Sequence, residues 1–99
     1  MRLDYKLAEA AQKDLREISA YTLKTWGKEQ AKAYREIIRA SLKLISETPE
    51  IGQKRSELMV GLRSFPVGHH IAYYVEREDG IVVARILHPA MDQEQAMQK

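Results

Sequence analysis

The sequence predicts an α+β domain of order β-α-α-β-β-β, with a helical hairpin packed on one face of a small, mainly antiparallel sheet. Three observations carry that prediction. Residues 2–7 alternate apolar and polar as a half-buried strand does. Two helical stripes then follow almost without a break, over residues 8–26 and 28–47. Residues 61–88 read as three short strands, 61–65, 69–76 and 80–88, joined by tight turns. Strands gathered on one side of a helical pair point to helices segregated to one face of an antiparallel sheet.

Each element has its own warrant. In the first strand Leu3, Tyr5 and Leu7 face one way and Arg2, Asp4 and Lys6 the other. Ala8, Ala11, Leu15, Ile18, Thr22 and Trp26 recur at intervals of three or four, with Tyr21 beside them, and Gly27 is a natural helix stop. The second stripe runs through Ala31, Tyr34, Ile38, Ser41 and Ile45, and Ile37, Leu42 and Leu44 widen it. Pro49 forbids its continuation and pushes Thr48 toward extended geometry. Two helices this close must fold back on each other. Residues 48–60 lack periodicity, and Gly52-Gln53-Lys54-Arg55 reads as polar loop. Asp79-Gly80 is a favoured hairpin dipeptide. Pro89 ends the last strand, and Ala90 to Lys99 is a Gln- and Met-rich tail suited to a final turn or two of helix.

The last two strands are apolar on both sides. Ile71, Tyr73 and Val75 alternate with Ala72 and Tyr74, while Ile81, Val83 and Leu87 alternate with Val82, Ala84 and Ile86. One helical layer covers only one face of a sheet, so the other needs a second cover. Ala72, Tyr74, Val82, Ala84 and Ile86 are therefore expected to form a face that the hairpin leaves open to a partner.

A chain of 99 residues is one domain, 1–99, with room for a single two-layer core. An apolar share of 44% with 30% charged residues excludes a disordered chain. No apolar run approaches the roughly 20 residues needed to cross a bilayer, and the first residues alternate rather than forming a secretory signal. The absence of cysteine removes disulfides, thiolate nucleophiles and Cys-based zinc sites, and fits a reducing cytoplasm. A net charge of +2 permits a nucleic-acid partner without demanding one.

Chemistry has few candidate seats. His69 and His70 are adjacent, so a strand points them apart, and His88 has no carboxylate pair at metal spacing. No metal, cofactor or nucleophile motif emerges, and the glycines are spaced as turns. The remaining set is basic: Arg63, Arg85 and His88, with Lys54 and Arg55 in the preceding loop. Guanidinium forks match phosphate, and histidine titrates near neutral pH. The plainer reading pairs the arginines with carboxylates such as Glu57 or Glu76 and has His88 cap a strand end. Among the aromatics, Tyr5, Trp26, Tyr34 and Tyr73 fall on apolar stripes and read as core, while Tyr74 stays open.

Several runs together resemble one family. The first-helix run Ala11-Gln12-Lys13-Asp14-Leu15-Arg16-Glu17-Ile18-Ser19-Ala20-Tyr21, the Trp26-Gly27 pair, the Pro49–Gly52 loop and Gly61-Leu62-Arg63-Ser64-Phe65 are similar to RelE/ParE toxins. So are Ile71-Ala72-Tyr73-Tyr74 and the ending Arg85-Ile86-Leu87-His88 with Met91-Asp92. The first-helix run, Trp26-Gly27 and the closing segment resemble the ParE branch in particular. That resemblance implies the toxin of a type II toxin–antitoxin system, cytoplasmic and without a cofactor or catalytic residues, that poisons DNA gyrase. It also implies a cognate ParD-like antitoxin, and contact with nucleic acid only indirectly, through gyrase or the antitoxin complex. Arg63, Arg85 and His88 are then contact candidates for gyrase or substrate, and the five apolar sheet residues are antitoxin-binding candidates. The alternative within the superfamily is a RelE-like ribosome-dependent mRNA endoribonuclease. Here His88 is followed by Pro89 and no tyrosine comes after Tyr74, so the ribonuclease set is incomplete. A third reading is a toxin fold that survives only as a binding module.

Overall fold

The computed structural model describes residues 4–90 and residue 96. Strand β1 (Asp4–Leu7) leads into helices α1 (Glu9–Trp26) and α2 (Lys28–Glu47), followed by a single 3-10 turn (Pro49–Ile51) and a two-residue strand β2 (Gln53–Lys54). Strands β3 (Arg63–Val67), β4 (His70–Arg77) and β5 (Gly80–Leu87) follow. The five strands form one sheet in the order β1-β5-β4-β3-β2. Only β1 runs parallel to its neighbour, so the first strand lies beside the last. The predicted α+β architecture is the observed one, with β2 as an element that the loop-like composition of residues 48–60 hid.

Turn chemistry differs from expectation at one hairpin. Arg77 pairs with Gly80, so Glu78 and Asp79 form the β4–β5 turn, and neither takes positive φ. Gly80 opens β5 instead. A Cβ there would lie 1.8 Å from the Asp4 carbonyl oxygen, so glycine is what lets β1 come alongside. In the β3–β4 turn Gly68 has φ of 66° and its open side receives the Tyr34 ring, whose nearest atom would stand 2.7 Å from a Cβ.

The sheet's two faces are sorted by a bulge. Tyr73 lies opposite Arg85 and Tyr74 opposite Val83, which leaves Ala84 as an extra residue in β5. Alternation therefore skips a step. Ile81, Val83 and Ile86 all join Ala72 and Tyr74 in the core beneath the hairpin, against Ala11, Ile38, Leu42 and Ile45. Ala84 and Leu87 fall on the opposite side with Ile71, Tyr73 and Val75.

This corrects the expected partner face. Ala72, Tyr74 and Ile86 are buried under the helices, and only Val82 and Ala84 of the five lie on the far side. Both alternating sets of β4 are apolar, so periodicity could not say which set meets the hairpin. The far face is also partly covered by the chain itself, since Leu58 and Leu62 from the loop before β3, and Ala96, pack on Tyr73 and Leu87. The remainder of the expected C-terminal turn, residues 91–95 and 97–99, lies outside the described residues, as do residues 1–3.

The helices also expose what their stripes promised to bury. Ala11 and Thr22 are buried on α1, but Trp26, one turn beyond Thr22, is 66% exposed. On α2, Ala31, Ile38, Leu42 and Ile45 face the core, whereas Ile37 and Leu44 are each 50% exposed. Tyr74, left open from the sequence, is wholly buried and donates its hydroxyl to the Pro49 carbonyl at 2.6 Å.

Candidate functional site

Arg85 is the best-held of the three basic candidates. Its Nε donates to Asp14 Oδ2 at 2.8 Å and its Nη2 to Asp14 Oδ1 at 2.9 Å, a bidentate fork across 71 residues of sequence. Asp14 Oδ2 also accepts the Ile86 N–H at 3.0 Å, and Arg85 Nη1 donates to the Ala96 carbonyl at 2.8 Å. β1 ends at Leu7, whose partner is Val83, so the edge of β5 past that point is taken over by α1 through Asp14. The hydrogen-bonded carboxylate holds the guanidinium's pKa above its ordinary value, against the opposing effect of burial. The acid is Asp14 rather than the expected Glu57 or Glu76. Its sequence signal was a carboxylate three residues after Ala11, on the buried side of an apolar stripe.

Arg63 is used differently. Its Nη1 donates to the carbonyls of Gly52, at 2.8 Å, and Glu50, at 3.4 Å, tying β3 to the 3-10 turn. The expected Glu57 pairs with Arg55, which also donates to Ser64 Oγ at 2.9 Å. Arg63 is the cross-strand partner of Tyr74, and Arg85 that of Tyr73. Successive residues of β4 point to opposite faces, so the two arginines leave the sheet on opposite sides. With Lys54, Ser56, Val60 and Arg77, Arg63 lines a surface hollow of about 610 Å³.

His88 sits at the far end of β5, where its Nδ1 accepts the Ala90 N–H at 3.1 Å. It caps the strand end, as the plainer reading held. Its ring meets His70 edge-on, with centroids 5.6 Å apart. Arg63 stands apart from the other two, whereas Asp14, the partner of Arg85, lines a hollow of about 340 Å³ together with Glu17, His70 and His88.

The histidines instead meet Tyr34, a grouping that adjacency in sequence concealed. Tyr34 accepts the His69 N–H at 2.8 Å, and its hydroxyl shares a hydrogen bond with His70 Nδ1 at 2.6 Å. The His69 ring stacks on Tyr34 at 6.1 Å between centroids. Burial lowers the His70 pKa, and the neighbouring His88 and His69 lower it further. Burial likewise raises the Tyr34 pKa, with the His69 N–H opposing. These side chains close one end of a cleft of about 480 Å³ whose walls are Tyr21, Trp26, Gln30, Ala33 and Ile37. Among the described residues no Lys, Arg, Asp or Glu lines it. The cleft suits an apolar or aromatic group better than a phosphate. Among the described residues no three His, Asp or Glu side chains gather as metal ligands would.

Known proteins are similar to this chain in sequence and in fold. The toxin ParE1 of Caulobacter vibrioides is 33% identical over 88 residues, spanning 89% of this chain and 91% of its own. The chromosomal ParDE TA system from P. aeruginosa contains a chain that superposes with a TM-score of 0.73 at 20% identity, covering 87% of this chain and 95% of that one. The latter likeness establishes the fold. Residues 5–93 match the family described as the ParE toxin of type II toxin-antitoxin system, parDE, and this chain belongs to that family.

Proposed function

We propose that this protein is a cytoplasmic toxin that poisons DNA gyrase and is neutralised by a cognate ParD-like antitoxin. Family membership supports the toxin role. The observation that carries the choice of target is that each basic group is already engaged by the fold. Arg85 is spent on Asp14, Arg63 on two carbonyls, and His88 on a strand cap. A ribonuclease needs a phosphate clamp and an acid–base group within reach of one scissile bond. The His70–His88 pair favours a ribosome-dependent nuclease, but among the described residues no Lys or Arg lines the cleft beside it to hold a phosphate.

The gyrase and the antitoxin are to be met by surfaces rather than by a reaction centre. For gyrase, exposed Met59 and Val60 beside Lys54, Arg63 and Arg77 form a mixed basic and apolar edge, and Arg63 remains a contact candidate. Val82 and Ala84 remain candidates on the far sheet face. Tightly controlled expression tests the assignment. Filamentation with an SOS response, equally strong in a folded His88→Ala variant, is the expected result. A translation stop with cleaved ribosome-bound mRNA, lost in His88→Ala, overturns it.

A further inference from the structure

Helix α2 sorts its charge by side. Lys28, Lys32, Arg35 and Arg39 follow at intervals of four, three and four residues, and all four are exposed. At 3.6 residues per turn they fall within an arc of about 60°, as a row about 16 Å long. Lys43 keeps the same spacing one turn further on, while Glu29, Glu36 and Glu47 lie to one side of the row. Among the described residues Lys28, Lys32 and Arg35 have no ion-pair partner. Arg39 meets Glu36 at 3.4 Å with both side chains well exposed, a contact that water screens and another anion can replace. The row borders a groove of about 500 Å³ between the two helices, whose walls Ser19 and Leu23 of α1 share with Lys28, Lys32 and Arg35.

The chemistry of the row selects its partner. A protein interface is built around an apolar centre, and the exposed large apolar residues of α2, Ile37 and Leu44, lie on the opposite side of the helix. A line of cations with no large apolar member suits a regular polyanion instead. Duplex DNA carries a phosphate about every 3.4 Å of axis on each strand, so the row lies against about five phosphates of one strand. Contacts of this kind position a duplex without reading its bases.

We propose that Lys28, Lys32, Arg35 and Arg39 form a binding site for the phosphate backbone of duplex DNA, without preference for sequence. This goes beyond the proposed function, and it replaces the expectation that the chain meets nucleic acid only through another protein.

The test is fluorescence anisotropy of the full chain with a labelled DNA duplex, titrated across a range of salt concentrations. With four phosphates neutralised, log K falls against log salt with a slope of about −3.6. Lys32→Gln/Arg35→Gln loses two contacts, so its slope is about −1.8 and its affinity at low salt is weaker by about tenfold or more. Lys6→Gln/Lys13→Gln removes the same charge from exposed positions on β1 and α1, off the row, and binds within about threefold of wild type. Lys32→Arg/Arg35→Lys keeps the charge and returns the wild-type slope. Every substituted side chain is exposed, so the melting temperatures stay close to that of wild type. Equal weakening by the two Gln pairs makes net charge the cause and overturns the site, as does tighter binding to duplex RNA than to DNA. Unchanged DNA affinity in the folded row variant also overturns it, and if that variant loses DNA-free gyrase or the antitoxin, the occupant is an acidic protein surface. A wild-type chain that binds DNA through the row yet leaves gyrase unaffected removes the functional reading and leaves this site standing.

Discussion

Replacing Asp14 by alanine removes the acceptor of three hydrogen bonds at once, two from Arg85 and one from the Ile86 N–H. The carboxylate side chain is 9% exposed and the guanidinium 19%, so neither product of the change is well solvated. Breaking a buried pair from one side costs about 3–5 kcal/mol, because the surviving charge keeps its desolvation without its partner. The stranded Ile86 N–H contributes within that range rather than adding fully to it. For a domain of this size each kcal/mol moves the melting temperature by about 4–8 °C, so a fall of the order of 15–30 °C is expected. Arg85→Ala is expected to cost nearly as much, and the double variant less than the two singles combined. Arg85→Lys restores the charge but not the fork, and so recovers only part of the loss. Urea unfolding followed by circular dichroism measures all four variants. A cost below about 1 kcal/mol for Asp14→Ala, typical of a solvent-screened surface pair, would mean that the fork does not hold α1 to β5. The result also governs how toxicity data are read. An Arg85 variant that loses toxicity together with its fold says nothing of contact with a target.

Three further predictions follow from the same geometry. Among the described residues the buried Tyr73 hydroxyl has no hydrogen-bond partner, whereas that of Tyr74 donates to Pro49, so Tyr73→Phe is expected to be neutral or stabilising while Tyr74→Phe costs about 1 kcal/mol; urea midpoints compare them. Gly80→Ala forces a methyl against the Asp4 carbonyl and is expected to destabilise by about 2 kcal/mol or more, with faster amide exchange across β1 than across β4. Because the His70 pKa is lowered in the fold, the unfolded chain binds the proton first. Stability is therefore complete above the ordinary histidine pKa of 6.5 and falls as the pH drops from there through the lowered folded pKa; denaturation midpoints between pH 8 and pH 5 should show that fall, and it should shrink in His70→Gln.

The fold was legible because its signals are local. Alternation in residues 4–7, helical spacing on both sides of Gly27, and Pro49 after α2 each act within a few residues, and α2 ends at Glu47 as the spacing predicts. What the sequence hid depends on distant partners. The extra residue at Ala84 exists only relative to β4, and it moves Ile86 from one face to the other. Trp26 sits at a stripe position, yet the helix runs one turn past its last buried residue. The site was less legible than the fold. Arg85, 71 residues from Asp14, carries no mark of its partner. The gathering of Tyr34, His70 and His88 joins α2, β4 and the residue after β5, which no spacing rule links. His88 as a strand cap was readable, since Pro89 follows it.

The proposed function has this chain act on gyrase through its surfaces, without a reaction centre of its own. Purified chain added to purified gyrase, relaxed plasmid and ATP tests it most directly, with ribosome-bound mRNA incubated in parallel. Loss of supercoiling with accumulation of linear, gyrase-linked plasmid is predicted, reversed by the antitoxin and retained in His88→Ala, with the mRNA left intact. Unimpaired supercoiling beside cleaved mRNA would make the chain a nuclease instead.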